Sequence, residues 1–451
     1  MQEHTITAIA TPKGEGAIAV IRLSGEDSFS ICQKIISNPL RPFEPRQLTL
    51  CNIQKPKTGQ FLDEVLICFM PAPKSYTGED MVEIYTHGGN IIPYTVQNLL
   101  IEHGAKPADP GEFTKRAVLN KKIDLIKAEA INQIISSRTQ KELELAQGSY
   151  QGKICNDLEK ILSLLSQLIQ NIEALISFPE DVSSEEAPIE ELIQQISSLI
   201  ESLIRKGSYA KQIEKGFRIL ISGKTNVGKS SLFNTLLGWE RMIVSPFPST
   251  THDYVSELIS LEGYPVYLID SAGWIEEPSG VDTIFNNEIE SLLETAFLVL
   301  FVIDLTDVSL FDFTLLEKYK NSQVIIVLNK MDQIGFHLDD IKSQLPKNME
   351  TNIVSSITKE GIDVLINAIV ARLKQKEPDQ MDYLMTDRQL ALVLRLQFIF
   401  LQISDIQAPE KNIDRISFEL KEAVHILEEI KGERFKEKMF DEIFQRFCIG
   451  K

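Results

Sequence analysis

The chain has 451 residues, which is long for one hydrophobic core and predicts two or three domains of roughly 150 residues each. Its composition, 43% hydrophobic and 24% charged residues, is ordinary for a globular protein and excludes wholesale disorder. Acidic residues outnumber basic ones 64 to 46, so the formal net charge of −18 argues against a protein that coats nucleic acid by bulk electrostatic attraction.

The N-terminal part of the chain alternates short apolar runs with turn residues, which is typical of a small α+β domain. Residues 17–21 and 65–69 are apolar runs that predict strands, and residues 12–16 and 87–89 are glycine-containing predicted turns. From about residue 120 the pattern becomes helical. We therefore predict a first domain over residues 1–118.

Two long helices come next, and both carry apolar residues at spacings of three and four. That spacing predicts the buried stripe of a helical bundle. The stripe of the first helix is Ile154, Leu158, Ile161, Leu165, Leu168, Ile172 and Leu175. The second helix follows Pro188, where a helix can begin, and its stripe is Ile189, Ile193, Ile196, Ile200 and Leu203. Residues 119–215 are thus predicted to be the first part of a helical domain.

A third pattern occupies residues 216–373, where apolar runs alternate with helical stretches. This alternation indicates a doubly wound, mostly parallel sheet. The predicted strands are residues 217–222, 266–269, 298–303 and 324–328. A polar linker is predicted at residues 374–378, and residues 374–451 return to helices as the second part of the helical domain.

The phosphate-binding signature of the third region is GKTNVGKS at residues 223–230. It matches G-x-x-x-x-G-K-[ST], follows a predicted strand and precedes a predicted helix, which is the context that the motif requires. Its glycines allow backbone N–H groups to surround an anion at a helix start. Lys229 is predicted to act on the β- and γ-phosphates, and the Ser230 hydroxyl to bind Mg²⁺. The predicted GTP contacts here are Asn226, Val227, Gly228, Lys229, Ser230 and Ser231.

Three later motifs, each after a predicted strand, decide which base is bound. In D-x-x-G, Asp270 is predicted to lie just outside the ligands of Mg²⁺, and the Gly273 amide to meet the γ-phosphate. In N-K-x-D, Asp332 can accept hydrogen bonds from guanine N1 and N2, which adenine cannot donate. The third motif, SSI at residues 355–357, follows NIV at residues 352–354 and is predicted to close over the base with its backbone amides. The order of the motifs predicts a GTPase. The GTP contacts predicted in them are Asp270, Ser271, Ala272, Gly273, Asn329, Lys330, Met331, Asp332, Ser355, Ser356 and Ile357.

The means of hydrolysis differs from that of Ras-like enzymes, which carry a glutamine directly after the D-x-x-G glycine to orient the attacking water. This chain has Trp274 there, and an indole cannot polarise water. Asn226 and residues 248–253 offer oxygen atoms, which suit a hard monovalent cation beside the phosphates, and Thr251 is the natural switch threonine for Mg²⁺. Lys224 and Arg241 remain alternative cations within the chain.

Beyond these motifs, the chain resembles the MnmE (TrmE) family of tRNA-modification GTPases, in the TrmE–Era class. The resemblance covers essentially all 451 residues. Its other signatures are IATP at 9–12, IRLSG at 21–25, YTGED at 76–80, HGG at 87–89, PGEFTKRA at 110–117, LNKKIDL at 119–125 and FCIGK at 447–451.

The resemblance implies a multidomain α/β fold: a small α+β N-terminal domain that dimerises and binds a one-carbon tetrahydrofolate (5-formyl- or 5,10-methylene-), a helical bundle domain, and an inserted Ras-like P-loop G domain. It also implies a homodimer that works with a FAD-dependent MnmG/GidA-type partner in a heterotetramer. Together they would add a carboxymethylaminomethyl or aminomethyl group to the wobble uridine of certain tRNAs. The family's folate contacts fall on Arg22, Glu79, Lys122 and Lys451.

A potassium site is implied in the same way. Its ligands fall on the side chains of Asn226 and Thr250 and on the carbonyls of Ser245 and Phe247, and the family's water-orienting glutamate falls on Asp282, one methylene shorter. Ser249 stands where the family has glycine, which stiffens this loop. The first switch also supplies the remaining predicted GTP contacts, Ser245, Pro246, Phe247, Pro248, Ser249, Thr250 and Thr251.

Two other functions stay open. A ribosome-assembly GTPase would need a basic RNA-binding appendage, which this acidic chain lacks. A folate-dependent C1-transferase with a regulatory G domain would form its product without GTP turnover.

The chain is predicted to be cytoplasmic and to have no membrane segment. No apolar stretch approaches the ~18–20 residues that span a bilayer, and the first residues lack a signal-peptide pattern. Its five cysteines are scattered, as in a reducing compartment.

Overall fold

A computed structural model describes residues 4–37, 39, 42–177, 189–239, 255–270, 292–306, 319, 323–333, 349–406, 413–434 and 437–450. The chain divides into two compact units. Unit 1 comprises Met1–Asn132, Tyr150–Val182 and Asp405–Lys451, and unit 2 comprises Gln133–Ser149 and Ser183–Ser404.

Unit 1 is built on a seven-stranded sheet. Its strands are β1 Ile6–Ile9, β2 Ile18–Ser24, β3 Ile36–Ser37, β4 Leu48–Gln54, β5 Phe61–Met70, β6 Met81–His87 and β7 Lys106–Pro107. They lie in the order β3-β4-β5-β6-β2-β1-β7, and neighbours are antiparallel except for β1 and β7. Side chains alternate along them, so that Ile21 and Leu23 of β2 are buried while Arg22 points to the other face.

Helices cover one face of this sheet and continue into a helical part. In chain order they are α1 Ser28–Gln33, α2 Ile92–Glu102, α3 Glu112–Leu119, α4 Leu125–Ser136, α6 Lys153–Ser177, α11 Ile413–Lys431 and α12 Glu437–Phe444. Val96, Leu99 and Leu100 of α2 share a core with the inward residues of β2, β5 and β6. The long helix α6 packs along α11, and the end of α12 packs beside α3 and α4 through Phe440 and Phe444.

Unit 2 contains a six-stranded sheet. Its strands are β8 Phe217–Ser222, β9 Val255–Leu261, β10 Tyr264–Asp270, β11 Leu298–Asp304, β12 Val324–Asn329 and β13 Glu350–Ile353. They lie in the order β13-β12-β11-β8-β10-β9, and all neighbours are parallel except β9 and β10. Along β11, Leu298, Leu300 and Val302 enter one hydrophobic cluster and Val299 and Phe301 enter the other, so both faces are buried.

The helices of unit 2 flank this sheet and extend from it. They are α5 Gln140–Tyr150, α7 Ile189–Lys215, α8 Lys229–Leu237, α9 Ile362–Gln375 and α10 Asp387–Ser404. The long helix α7 packs along α10. The larger core cluster of the sheet also takes in Leu145 and Ala146 of α5, Leu232 of α8 and Ile369 of α9.

The predicted fold class is confirmed, with a small α+β sheet domain, long helices and an inserted doubly wound domain. Both helical stripes are buried as expected, except that Leu175 is only half-buried. The predicted linker at residues 374–378 was wrong at its start, because α9 continues to Gln375. The domain boundaries after residues 118, 215 and 373 remain predictions. Among the helices that the structure describes, none is long and apolar enough to cross a lipid bilayer.

Candidate functional site

The predicted phosphate loop lies between the end of β8 and the start of α8. Both of its glycines have a backbone that other residues rarely adopt, with φ of 145° at Gly223 and 95° at Gly228. A Cβ added at Gly223 would lie 2.4 Å from the carbonyl oxygen of Val302, and one at Gly228 would lie 2.3 Å from Nδ2 of Asn329. Glycine is therefore required at both positions, by conformation and by space.

Lys229 and Ser230 open helix α8 beside the end of β10. The buried Lys229 ammonium donates to the carbonyl oxygen of Lys224 at 2.7 Å. Burial lowers the pKa of Lys229, and the nearby Asp270 carboxylate partly opposes that shift. The Ser230 hydroxyl donates to Oδ2 of Asp270 at 2.8 Å. The Lys229 ammonium is therefore held in place by a backbone carbonyl of the loop itself.

The oxygens of Ser230 and Asp270 are suited to a hard divalent cation. Oδ1 of Asp270 is buried and has no hydrogen-bond partner among the described residues, although a buried carboxylate oxygen ordinarily has one. A hydroxyl and a carboxylate are the donor types that Mg²⁺ takes in proteins. The residues present therefore fit Mg²⁺.

Asn329 joins the phosphate loop to the predicted base-binding loop. Its buried amide nitrogen donates to the carbonyl oxygen of Val227 at 3.1 Å. Its amide oxygen accepts from the backbone N–H and the hydroxyl of Ser356, at 3.1 and 2.9 Å. One side chain thus holds together three of the predicted motifs.

Asp332 lies at the outer side of this junction and is exposed. Its Oδ1 accepts from the Ser355 hydroxyl at 2.5 Å. That hydroxyl oxygen in turn accepts from the backbone N–H groups of Ile357 and Thr358, at 3.3 and 3.1 Å. The carboxylate is therefore oriented before any base arrives.

Two contributors to this site were missed in the sequence. Asp304, at the end of β11, accepts from Lys330 at 2.5 Å, and Lys330 also donates to the carbonyl oxygen of Asn226 at 3.1 Å. Burial works to raise the pKa of Asp304, but hydrogen bonds from Lys330 and Thr306 outweigh it and hold that pKa below its usual value. Thr235 of α8 donates to the carbonyl oxygen of Ser356 at 2.8 Å. The strand-end position of Asp304 was the available signal.

Other predicted nucleotide, metal and catalytic residues lie outside the described residues. They are Ser245, Pro246, Phe247, Pro248, Ser249, Thr250, Thr251, Ser271, Ala272, Gly273 and Asp282.

In unit 1, the residues predicted to bind folate surround one loop, residues 73–79. Arg22 lies over the ring of Tyr76, 5.9 Å from its centroid. Lys122 donates to the carbonyl oxygen of Pro73 at 2.9 Å. A Cβ added at Gly78, whose φ is 83°, would lie 3.1 Å from Cγ of Lys122. Glu79 follows that glycine directly.

Within the described residues, only one of the two oxygens of the Glu79 carboxylate has hydrogen-bond partners. Its Oε2 accepts from the Ser24 hydroxyl at 2.7 Å and from Arg116 at 3.1 Å. Its Oε1 is buried and has no hydrogen-bond partner within the described part of the chain. Arg116, which sequence reasoning did not single out, is itself buried against Glu79 and Glu112.

The C-terminal end of the chain reaches the same region. Arg22 donates to the carbonyl oxygen of Gly450 at 3.2 Å and to Glu83 at 2.8 Å. Gly450 has φ of 89°, and a Cβ there would lie 2.7 Å from the carbonyl oxygen of Ile9. Lys451 lies outside the described residues, but its chain neighbour is thus held beside Arg22.

Comparison with protein families gives two matches that together cover nearly the whole chain. Residues 5–122 match the family described as GTP-binding protein TrmE N-terminus. Residues 125–448 match the MnmE helical domain.

Curated relatives are similar over their full length. The tRNA modification GTPase MnmE of Pseudothermotoga lettingae is 35% identical over 452 residues, covering 99% of each chain. That of Natranaerobius thermophilus is 36% identical over 464 residues, covering 100% of each. That of Bacillus licheniformis is 32% identical over 458 residues, covering 99% of this chain and 100% of the relative.

Solved structures of GTPases match a part of the chain. Aquifex aeolicus Era bound to GDP·AlF4⁻ is 27% identical, with 43% of this chain and 69% of that chain covered and a TM-score of 0.28. The G domain of the T. maritima FeoB iron transporter is 27% identical, with 35% and 98% covered and a TM-score of 0.28.

Proposed function

The chain belongs to the MnmE family of tRNA modification GTPases, and we propose that it uses GTP hydrolysis to drive addition of a carboxymethylaminomethyl or aminomethyl group to the wobble uridine of certain tRNAs. The observation that carries the nucleotide part is the junction at Asn329, which links the phosphate loop at Val227 to the base loop at Ser356. This junction brings the phosphate-binding and base-binding motifs together at one site.

The site residues that the structure describes are assigned different roles in binding GTP and Mg²⁺. Lys229 binds the β- and γ-phosphates after exchanging the Lys224 carbonyl for phosphate oxygens, and its buried ammonium gains a charged partner in doing so. Ser230 and the Asp270 carboxylate position Mg²⁺, which neutralises charge between the phosphates when bound. Asp332, already oriented by Ser355, selects guanine through its N1 and N2 donors.

We propose that K⁺ takes the place of an arginine finger during hydrolysis. Support comes from Asn226, which is exposed in the phosphate loop with φ of 64° and whose carbonyl is held by Lys330. Thr250 and the carbonyls of Ser245 and Phe247 complete the proposed set of ligands. Asp282 is proposed to orient the attacking water.

A one-carbon tetrahydrofolate is proposed to bind around residues 73–79. The unpartnered Oε1 of Glu79 within the described part of the chain supports this, because a pteridine presents N–H donors along its amide edge. Arg22 and Lys122 supply cations on the same loop, and Lys451 follows the Gly450 carbonyl that Arg22 contacts. Calorimetry with 5-formyl-tetrahydrofolate tests the site, and the absence of any binding heat would contradict it.

A homodimer is proposed to form through the N-terminal domain. Ile18 and Leu66 are 63% and 37% exposed, and the strand register places both on the sheet face opposite the helix-covered core. Leu50 and Val20 extend this apolar face. Apolar side chains grouped on one sheet face support an interaction surface there. The heterotetramer with a FAD-dependent MnmG/GidA-type partner, tRNA binding and a cytoplasmic location are proposed with it.

Mass spectrometry of tRNA nucleosides tests the overall function. Cells that lack the protein should lose the modified wobble uridine, and the wild-type chain should restore it. Lys229→Ala should fail to restore it despite equal expression. Restoration by this variant would favour the C1-transferase with a regulatory G domain, and unchanged nucleosides in the deletion strain would refute the function.

A further inference from the structure

Strand β10 connects the nucleotide site to a polar cluster at its other end. At the C-terminal end Asp270 accepts from Ser230 at 2.8 Å. At the N-terminal end Tyr264 donates to Oε2 of Glu377 at 2.5 Å. Seven residues at about 3.3 Å per residue separate these contacts by roughly 20 Å along the strand.

Helix α5 begins at this second cluster. Thr139 accepts from the Glu142 N–H, and Glu142 accepts from the Thr139 N–H, both at 3.3 Å, as a capping box. The Lys141 N–H donates to the carbonyl oxygen of Gly263 at 3.2 Å. Amides in the first turn of a helix have no acceptor within it, so the turn between β9 and β10 supplies one.

The turn between β9 and β10 is a tight hairpin turn. Glu262 and Gly263 have φ of 45° and 86°, as both central residues of a tight two-residue hairpin turn require. The hairpin register continues on both sides, from Leu261 paired with Tyr264 to Val255 paired with Asp270. The ribbon is therefore paired without interruption from this turn to Asp270.

Side-chain contacts of Lys141 with Glu377 and Tyr264 reinforce the backbone hydrogen bond from Lys141 to Gly263. Lys141 donates to Oε1 of Glu377 at 2.7 Å and lies 5.5 Å from the centroid of the Tyr264 ring. Burial, followed by Glu377, raises the pKa of Tyr264, so its phenol remains a donor. Further along β10, the Tyr267 hydroxyl accepts from Arg138 at 3.1 Å.

We propose that β10 couples the nucleotide site to helix α5, so that the bound nucleotide changes the stability of the first turn of α5. The inference rests on the proposed GTP site. Close-packed elements shift between discrete arrangements rather than deform smoothly, and β10 is fixed at both ends by polar contacts. Coupling is reciprocal, so loosening α5 changes the relative affinity for GDP and GTP.

Hydrogen exchange of the full chain tests the coupling. Amides of residues 140–144 are compared with Mg²⁺ and saturating GDP or a non-hydrolysable GTP analogue, while calorimetry records nucleotide binding in the same samples. We expect exchange rates to differ about fivefold or more, the low end of measured coupling factors. The double variant Tyr264→Phe, Glu377→Gln should bind both nucleotides and lose this difference.

Lys374→Ala is the matched control. It removes the exposed pair between Lys374 and Glu262, at 2.9 Å, which joins the same turn to α9 without touching Tyr264. This variant should keep the wild-type difference. Equal exchange in both nucleotide states of the wild type, or a difference that survives in the double variant, would overturn the coupling. Absence of nucleotide binding would overturn the proposed function together with it.

Discussion

Replacing Asp332 by asparagine should change the preferred base of the nucleotide from guanine to xanthine. The carboxylate is held by Ser355 at 2.5 Å, and the amide side chain of an Asp332→Asn variant can keep that contact with its oxygen while turning its N–H₂ donor toward the base. Guanine then meets a donor where it needs an acceptor, whereas xanthine offers a carbonyl oxygen in place of the N2 amino group.

The expected loss is that of a charge-assisted hydrogen-bonded contact. Such a contact contributes about 1.5–3 kcal/mol, which corresponds to roughly one to two decades in the dissociation constant for GTP. Because Asp332 is already oriented, little of this is offset by ordering of the side chain.

Competition of GTP and xanthosine triphosphate against a fluorescent nucleotide measures both affinities. Asp363→Asn, which removes an exposed carboxylate from the first turn of α9, controls for the change in net charge and should bind like wild type. An Asp332→Asn variant with unchanged GTP affinity, or with no gain for xanthosine triphosphate, would show that Asp332 does not read the base.

Four other changes have expected outcomes. Asn226→Ala should abolish stimulation of GTP hydrolysis by K⁺ over Na⁺, a stimulation comparable with the ~10³–10⁵ of an arginine finger; equal rates of the wild type in both salts would contradict the cation mechanism. Asp282→Asn should lower turnover in phosphate-release assays without weakening GTP binding measured by calorimetry. Leu66→Glu should convert dimers to monomers in analytical ultracentrifugation, whereas Ile91→Glu, exposed at the N-terminal end of the helix α2 that packs on the opposite sheet face, should not; a dimeric Leu66 variant would exclude that face. Deletion of Lys451 should weaken 5-formyl-tetrahydrofolate binding in calorimetry and leave GTP affinity unchanged.

The sequence predicted best those elements whose burial is complete. Strand β8 was predicted to the residue and β11 and β12 to within one, because strands buried on both faces are continuous apolar runs. Strand β9 was missed. It lies at the sheet edge, and its sequence VSELISL mixes serine and glutamate with apolar residues. It therefore shows neither a continuous apolar run nor a strict alternation of apolar and polar residues.

The site was predictable where motif spacing reflects local geometry. The phosphate loop lies between strand and helix as its pattern requires. The contact of Val227 with Asn329, about a hundred residues later, and that of Arg22 with Gly450 depend on tertiary packing, which residue spacing does not encode. Arg116 was not singled out in the sequence, because its contact with Glu79, 37 residues earlier, also depends on tertiary packing.

The inserted domain enters and leaves its host at one place. Tyr209, near the end of α7, donates to the carbonyl oxygen of Leu373 near the end of α9, at 3.2 Å. The inserted domain therefore occupies a position that a short loop between its two ends could fill. Because those ends lie close together, joining them costs little chain entropy. A module attached in this way can be gained, lost or exchanged in evolution while α7 and α10 keep their packing.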